Sequence, residues 1–202
     1  MANICDSILS ADILAGCTKP LVKGFEADGV IIPRAYIDFA ASVVSTETPN
    51  IISSIVLNTG ERGYVCQQLG SAPFTGTTQS LVVGTYINTW DSSVQLLVPS
   101  FGPRTAAEII DALTNGEVVV ILRNKTKDDA ADSLAGSAEY QVFGWWNGCH
   151  ASAGERDPYS DDTFGGVLLT LTETGSPKSA MFLWAGTAAA TKTAYDALTE
   201  QL

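Results

Sequence analysis

The most reactive side chains in this sequence are adjacent: Cys149 and His150 would suit a thiol nucleophile paired with an imidazole base. Adjacency argues against that chemistry, because neighbours in a strand point to opposite faces and cannot share a proton. His150 is the single histidine, so a zinc site would have to combine it with scattered cysteines. Those cysteines, Cys5, Cys17, Cys66 and Cys149, have neither the paired spacing of zinc ligands nor the density of a disulfide scaffold. They read as reduced, mostly buried small residues; a Cys5–Cys17 bridge stays open, with nothing in the spacing to require it.

The segment from Thr126 to Asp162 is rich in carboxylates: Asp128, Asp129, Asp132, Glu139, Glu155, Asp157, Asp161 and Asp162, against Lys127 and Arg156 as the only bases. Neither Asp128-Asp-Ala-Ala-Asp132 nor Asp157-Pro-Tyr-Ser-Asp161-Asp162 follows the alternating ligand pattern of a calcium loop. A solvated loop or a functional negative surface fits them better. Gly165-Gly166 precedes a strand, so no helix amino terminus waits there for a phosphate. The dinucleotide, Walker and nucleophile-elbow motifs are missing. Loop acids on an acidic chain need no glycosidase to explain them. The sequence is therefore read as that of a non-enzyme with no catalytic residue, no cofactor and no metal. Trp145, Trp146 and Trp184 could form a sugar-stacking platform. If Trp145 and Trp146 lie in a strand, however, they place one ring on each face of a sheet, which favours a core and inter-subunit role.

Elements must position these residues, and composition limits which ones. The chain has 202 residues, of which 46% are hydrophobic and only 16% charged, and 18 Gly with many Thr and Ser supply the polar surface. That describes a folded, β-rich chain large enough to bury its own core. The formal charge of -11 has the wrong sign for gripping a phosphate backbone. No apolar run approaches the ~20 residues of a membrane span, and the Met1-Ala-Asn-Ile-Cys-Asp6 start lacks the basic opening of a secretory signal, so a cytoplasmic site of synthesis with no membrane is expected.

Along the chain, residues 1–25 read as a short helix or an arm, and Val30–Ile37 as an edge strand because Pro33 lacks a donor. Ile51–Leu57 and Gly63–Leu69 read as a hairpin around Asn58-Thr-Gly-Glu-Arg62. Ser71–Ser80 reads as a loop or inter-subunit arm whose Phe74 needs a pocket. Leu81–Asn88 and Val94–Val98 form a strand pair turning at Thr89-Trp-Asp-Ser92. After Pro103, Thr105-Ala-Ala-Glu108 spells a capping box, and the helix it starts ends at Gly116. A strand over Glu117–Lys125 follows, then a long aromatic strand over Glu139–Cys149 with bends at Gly144 and Gly148. A loop over Ala151–Phe164, strands at Val167–Thr172 and Ala180–Trp184, and a C-terminal helix within Ala188–Leu202 complete the pattern. With no internal repeat or linker, residues 1–202 are expected to form one domain of mainly β class, a sandwich or barrel with one flanking helix.

Tyr140-Gln-Val-Phe-Gly-Trp-Trp-Asn-Gly148, Asp157-Pro-Tyr-Ser-Asp-Asp162 and Gly165-Gly-Val-Leu-Leu-Thr-Leu-Thr-Glu-Thr174 follow in order behind a Val-rich strand and a short helix. Over most of its length the chain thus resembles the major tail tube proteins of long-tailed bacteriophages and prophages, in particular a group with a Met-Ala-x-Ile-Cys-Asp type start. The resemblance implies a β-sandwich or barrel protomer, six of which close a ring by sheet extension, and rings that stack into a hollow tube. It also implies partners: further copies of the chain, other tail proteins, and DNA passing without specific binding. The location would be the virion tail, assembled in the host cytoplasm. Phe74, Trp145 and Trp146 are the expected inter-subunit contacts. The competing readings are a head-tail connector or capsid-associated protein and, from another class, a carbohydrate-binding module.

Overall fold

The structure, a computed structural model, describes residues 22–128 and 136–200. Most of the expected N-terminal arm lies outside the described residues, as do Cys5, Cys17 and residues 129–135 of the acidic segment, including Asp129 and Asp132.

The chain is mainly β. Its strands are β1 (Phe25–Pro33), β2 (Val43–Val44), β3 (Ile51–Ser54), β4 (Tyr64–Gln67), β5 (Thr78–Val82), β6 (Thr89–Val98), β7 (Val118–Asn124), β8 (Tyr140–Phe143), β9 (His150–Arg156), β10 (Val167–Ser176) and β11 (Met181–Leu183). Seven of them form one sheet in the order β2-β3-β11-β8-β7-β1-β4, and four form a second in the order β5-β6-β10-β9.

Strand β7 explains how the layers are held. Five consecutive residues, Val118–Leu122, are buried, the signature of a strand covered on both faces. Val118, Val120 and Leu122 point to a core shared with Val94 and Leu96 of β6 and with Val167, Leu169 and Leu171 of β10. That core joins the two sheets. Val119 and Ile121 point the other way, into a second core with Val30, Ile32, Tyr140 and Leu183, closed by Tyr195 and Leu198 at the C-terminal helix Ala188–Ala197. The large sheet is therefore sandwiched between the small sheet and a helix, consistent with alternation of side chains across each strand.

The expected mainly β class, the β7 strand and both helices are present, but several expected elements are corrected. Strand β1 is not an edge: it lies between β7 and β4. Pro33 fits because β4 pairs only with Asp28–Ile31. Arg34 N–H donates to Glu117 O on the β7 side, so the position before it faces the β4 side, beyond the end of β4. The expected hairpin between Ile51 and Leu69 does not form. A turn does occur there, with Gly60 at φ 82°, yet β3 pairs with β2 and β11 and β4 pairs with β1. Strands β5 and β6 do pair, but the turn is 83–88, and Thr89-Trp-Asp-Ser92 belongs to β6.

The helix over residues 103–115 starts at Pro103 after an extended Gly102 and contains a π turn at Ala106–Ile110. Its capping box is absent. The Thr105 side chain makes no cap bond, and Glu108 Oε2 accepts from Arg104 Nε at 2.7 Å instead. The long aromatic strand is also shorter than expected: β8 stops at Phe143, because Gly144 (φ 79°) and Gly148 (φ 76°) adopt left-handed conformations that fold 144–148 into a turn. The expected loop 151–164 begins instead as strand β9.

Candidate functional site

Of the three expected contact residues, Phe74 and Trp145 are covered by their own chain and Trp146 is half-buried. Phe74 is 3% exposed and belongs to the core between the sheets, with its ring edge-on to Phe25 at 6.4 Å. Gly29 makes the room: a Cβ there would lie 2.8 Å from Leu122 Cδ2 and 3.5 Å from the Phe74 ring. A loop rich in Gly and Thr does not shelter the ring alone, but β1 and β7 supply the missing walls. The expected role of Phe74 as an arm anchor in a neighbouring subunit is therefore corrected to a core role.

Trp145 and Trp146 sit in the 144–148 turn, so the strand alternation that would put one ring on each face does not apply. Trp145 is 4% exposed and lies in the helix-side core, its ring 5.1 Å from Phe39. Trp146 is half-buried, and its carbonyl accepts from Arg34 Nη2 at 2.8 Å. The turn is held by Glu173, 4% exposed, whose carboxylate accepts from the backbone N–H groups of Gly144 (2.9 Å), Trp146 (3.0 Å) and Asn147 (3.0 Å). Trp184 is likewise buried. These tryptophans offer no open stacking platform.

Cys149 and His150 are divided as expected from strand geometry: the thiol is buried and the imidazole exposed, 4.0 Å from Glu117. Burial first, and then the charge of Glu173, raises the Cys149 thiol well above its ordinary pKa. Of the acidic stretch, Glu139 is buried against Arg123 (2.7 Å) and Lys127 (3.3 Å), and Asp128 accepts from Gly136 N–H at 2.7 Å. Glu155, Asp157, Asp161 and Asp162 are exposed around the β9–β10 connection. Among the described residues, no three His, Cys, Asp or Glu side chains converge to hold a metal, and no helix is long and apolar enough to cross a membrane.

What the molecule does present is unpartnered surface. Residues 78–88 are exposed without a break, so β5 and the β5–β6 turn project from the core as an arm. The turn and its flanks carry Leu81, Val82, Val83, Tyr86 and Ile87, with Tyr86 97% exposed. The sequence signal for this turn was Gly84-Thr85 interrupting an apolar run, a pattern that the strand reading of 81–88 passes over. Around Tyr64–Gln67 of β4, the open end of β6 and the 103–115 helix, a mostly apolar slot of about 540 Å³ opens between the two sheets. Just beyond β4, the Gln68 amide donates to Leu97 O (3.0 Å) and accepts from Leu97 N–H (2.9 Å), standing in for a missing strand partner of β6.

Compared with protein-family models, curated proteins and solved structures, the chain matches none of them.

Proposed function

We propose that this chain is a structural protein that assembles with copies of itself, and that its assembly is a tail tube: six copies closed into a ring, rings stacked into a conduit for genome delivery. The observation that carries the reading is a pair of sheet edges left open among the described residues. Strand β4 ends the large sheet and β5 ends the small one, and neither Tyr64-Val-Cys-Gln67 nor Thr78-Gln-Ser-Leu-Val82 contains a charge or a proline. A protein that works as a monomer blunts such edges with charges, prolines or bulges, because open backbone donors and acceptors invite another strand. Closing a ring satisfies them specifically. The family resemblance supplies the tube, and the edges support the ring. In this reading no residue is catalytic and no cofactor is held; the partners are other copies, other tail proteins and passing DNA, with assembly in the host cytoplasm.

Size-exclusion chromatography with light scattering, followed by electron microscopy of the purified protein at neutral pH, tests the reading. Hexamers, rings or hollow polymers are expected. A protein that stays monomeric at high concentration overturns it, and rings that never stack point to a connector instead.

A further inference from the structure

The apolar arm and the apolar slot lie at opposite ends of the small sheet. The arm's turn precedes Thr89 at the start of β6, whereas the slot is lined by Val98 at its end, with Tyr64, Val65, Ile109 and Leu113 around it. Ten residues of strand at ~3.3 Å each separate the two by about 33 Å.

Both places are electrically quiet on an otherwise acidic molecule. Residues 78–90 contain no Asp, Glu, Lys, Arg or His, and the one charged residue lining the slot, Glu117, lies 3.9 Å from Arg34. Two molecules of formal charge -11 repel over most of their surfaces, so an uncharged projection and a slot whose one charge is paired are where they can approach closely. The exposed acids Asp157, Asp161 and Asp162 offer the arm no complementary group, since the arm has no cation to meet them.

We propose that arm and slot are the two halves of one self-contact: the β5–β6 turn of one copy seats in the slot of the next, repeated head to tail. The inference rests on the self-assembly reading above and assigns residues to its stacking contact. A contact between two different patches of the same chain closes a ring when its rotation returns to the start and otherwise runs on as an open repeat; patches at opposite ends of the small sheet suit the open repeat that stacking needs. Tyr86 alone leaves on the order of 200 Å² in water, and the arm's apolar patch falls within the roughly 300–600 Å² that a monomer's largest patch reaches. Seated in the slot, that patch stays below the roughly 1,200–2,000 Å² of a standard specific interface. One contact is therefore weak, and persistence comes from many contacts made together when rings stack.

Two variants test the contact. The arm variant carries Val83→Ser and Tyr86→Ser; the slot variant carries Ile109→Glu. All three positions are exposed, so unchanged circular dichroism and Tm are expected. Should Ile109→Glu disturb its helix, Ala112→Glu, also exposed and lining the same slot, replaces it. Each variant alone should need about 30-fold more protein, or more, to form long polymers. Mixed, the two should pair one to one, because the arm variant keeps its slot and the slot variant keeps its arm; fluorescent labelling of one and co-sedimentation reads this out. Variants that polymerise like the wild type, or that fail alone and do not pair when mixed, overturn the contact while leaving the assembly reading intact. A wild-type protein that is itself monomeric at high concentration removes both.

Discussion

Glu173 shows how one buried side chain fixes a turn that carries two tryptophans. Its carboxylate is the acceptor for three backbone donors, and truncation would leave the buried Gly144 N–H without a partner and loosen the two part-buried ones. Glu173→Ala is expected to cost about 3 kcal/mol or more in urea unfolding, with Trp fluorescence shifted to the red as the 144–148 turn loosens. A loss under about 1 kcal/mol would show that the turn holds itself. Phe74→Ser is expected to cost about 3–5 kcal/mol of protomer stability, because a phenyl ring leaves the core between the sheets. Alkaline pH probes burial differently. Burial lifts the Cys66 thiol from its ordinary 9.0 to about 11, against a smaller opposing effect of the Gln68 hydrogen bond, and burial followed by the nearby Glu139 charge lifts the Tyr140 hydroxyl from 10.0 to about 12. Both groups hold protons more tightly folded than unfolded, so their contribution is complete below pH about 9 and is lost as pH rises towards 12. Urea midpoints measured across that interval should fall, and a flat profile would contradict the burial. Reduced, mostly buried cysteines were legible in the sequence, whereas the roles of Glu173 and Phe74 were not. Glu173 is one acid among many there, and Phe74 could be called homeless only because its walls, Gly29 and Leu122, come from distant strands.

Elements were legible wherever local chemistry decides them. The β-branched run of β7 and the Ala-rich stretch near the C-terminus declare strand and helix without help from partners. Pairing was not legible, because a turn such as Asn58–Arg62 reverses the chain without choosing which strands flank it. Parallel pairing of β11 with β3 captures one arm of the supposed hairpin, and β1 captures the other. Helix starts show the same limit. The capping box at Thr105 is a correct pattern in the wrong frame, since Pro103 begins the helix earlier and Arg104 engages Glu108. A side-chain cap is present instead on the C-terminal helix Ala188–Ala197, where the Thr187 hydroxyl accepts from Ala190 N–H at 3.2 Å. Thr187→Ala should therefore lower stability by ~1 kcal/mol and Thr105→Ala by less than about 0.5 kcal/mol. Equal losses in paired thermal melts would mean that Thr105 caps after all.

At the scale of the whole molecule, the proposed tube asks charge and shape to serve one assembly. Arg34, Arg104, Arg123, Lys127 and Lys192 each lie within 4.0 Å of a carboxylate, so these cations are already engaged within the chain. Glu155, Asp157, Asp161 and Asp162 are exposed, and the formal charge of the chain is -11. A conduit lined by free lysines and arginines would bind duplex DNA by releasing counterions and would stall it, because DNA presents one charge per about 1.7 Å of its axis. A wall of carboxylates and small polar groups repels the duplex weakly and evenly, which keeps it centred and moving. In the proposed tube, the inner wall is accordingly expected to be net negative. Two measurements check this: a map of the assembled tube from electron microscopy, read for the charged residues on its inner surface, and gel mobility of duplex DNA with the polymer at low ionic strength. Unretarded DNA and an acidic wall are the expected results. A predominantly basic inner wall, or retention of DNA that disappears as salt is raised, would overturn the sliding mechanism even if the protein forms a tube.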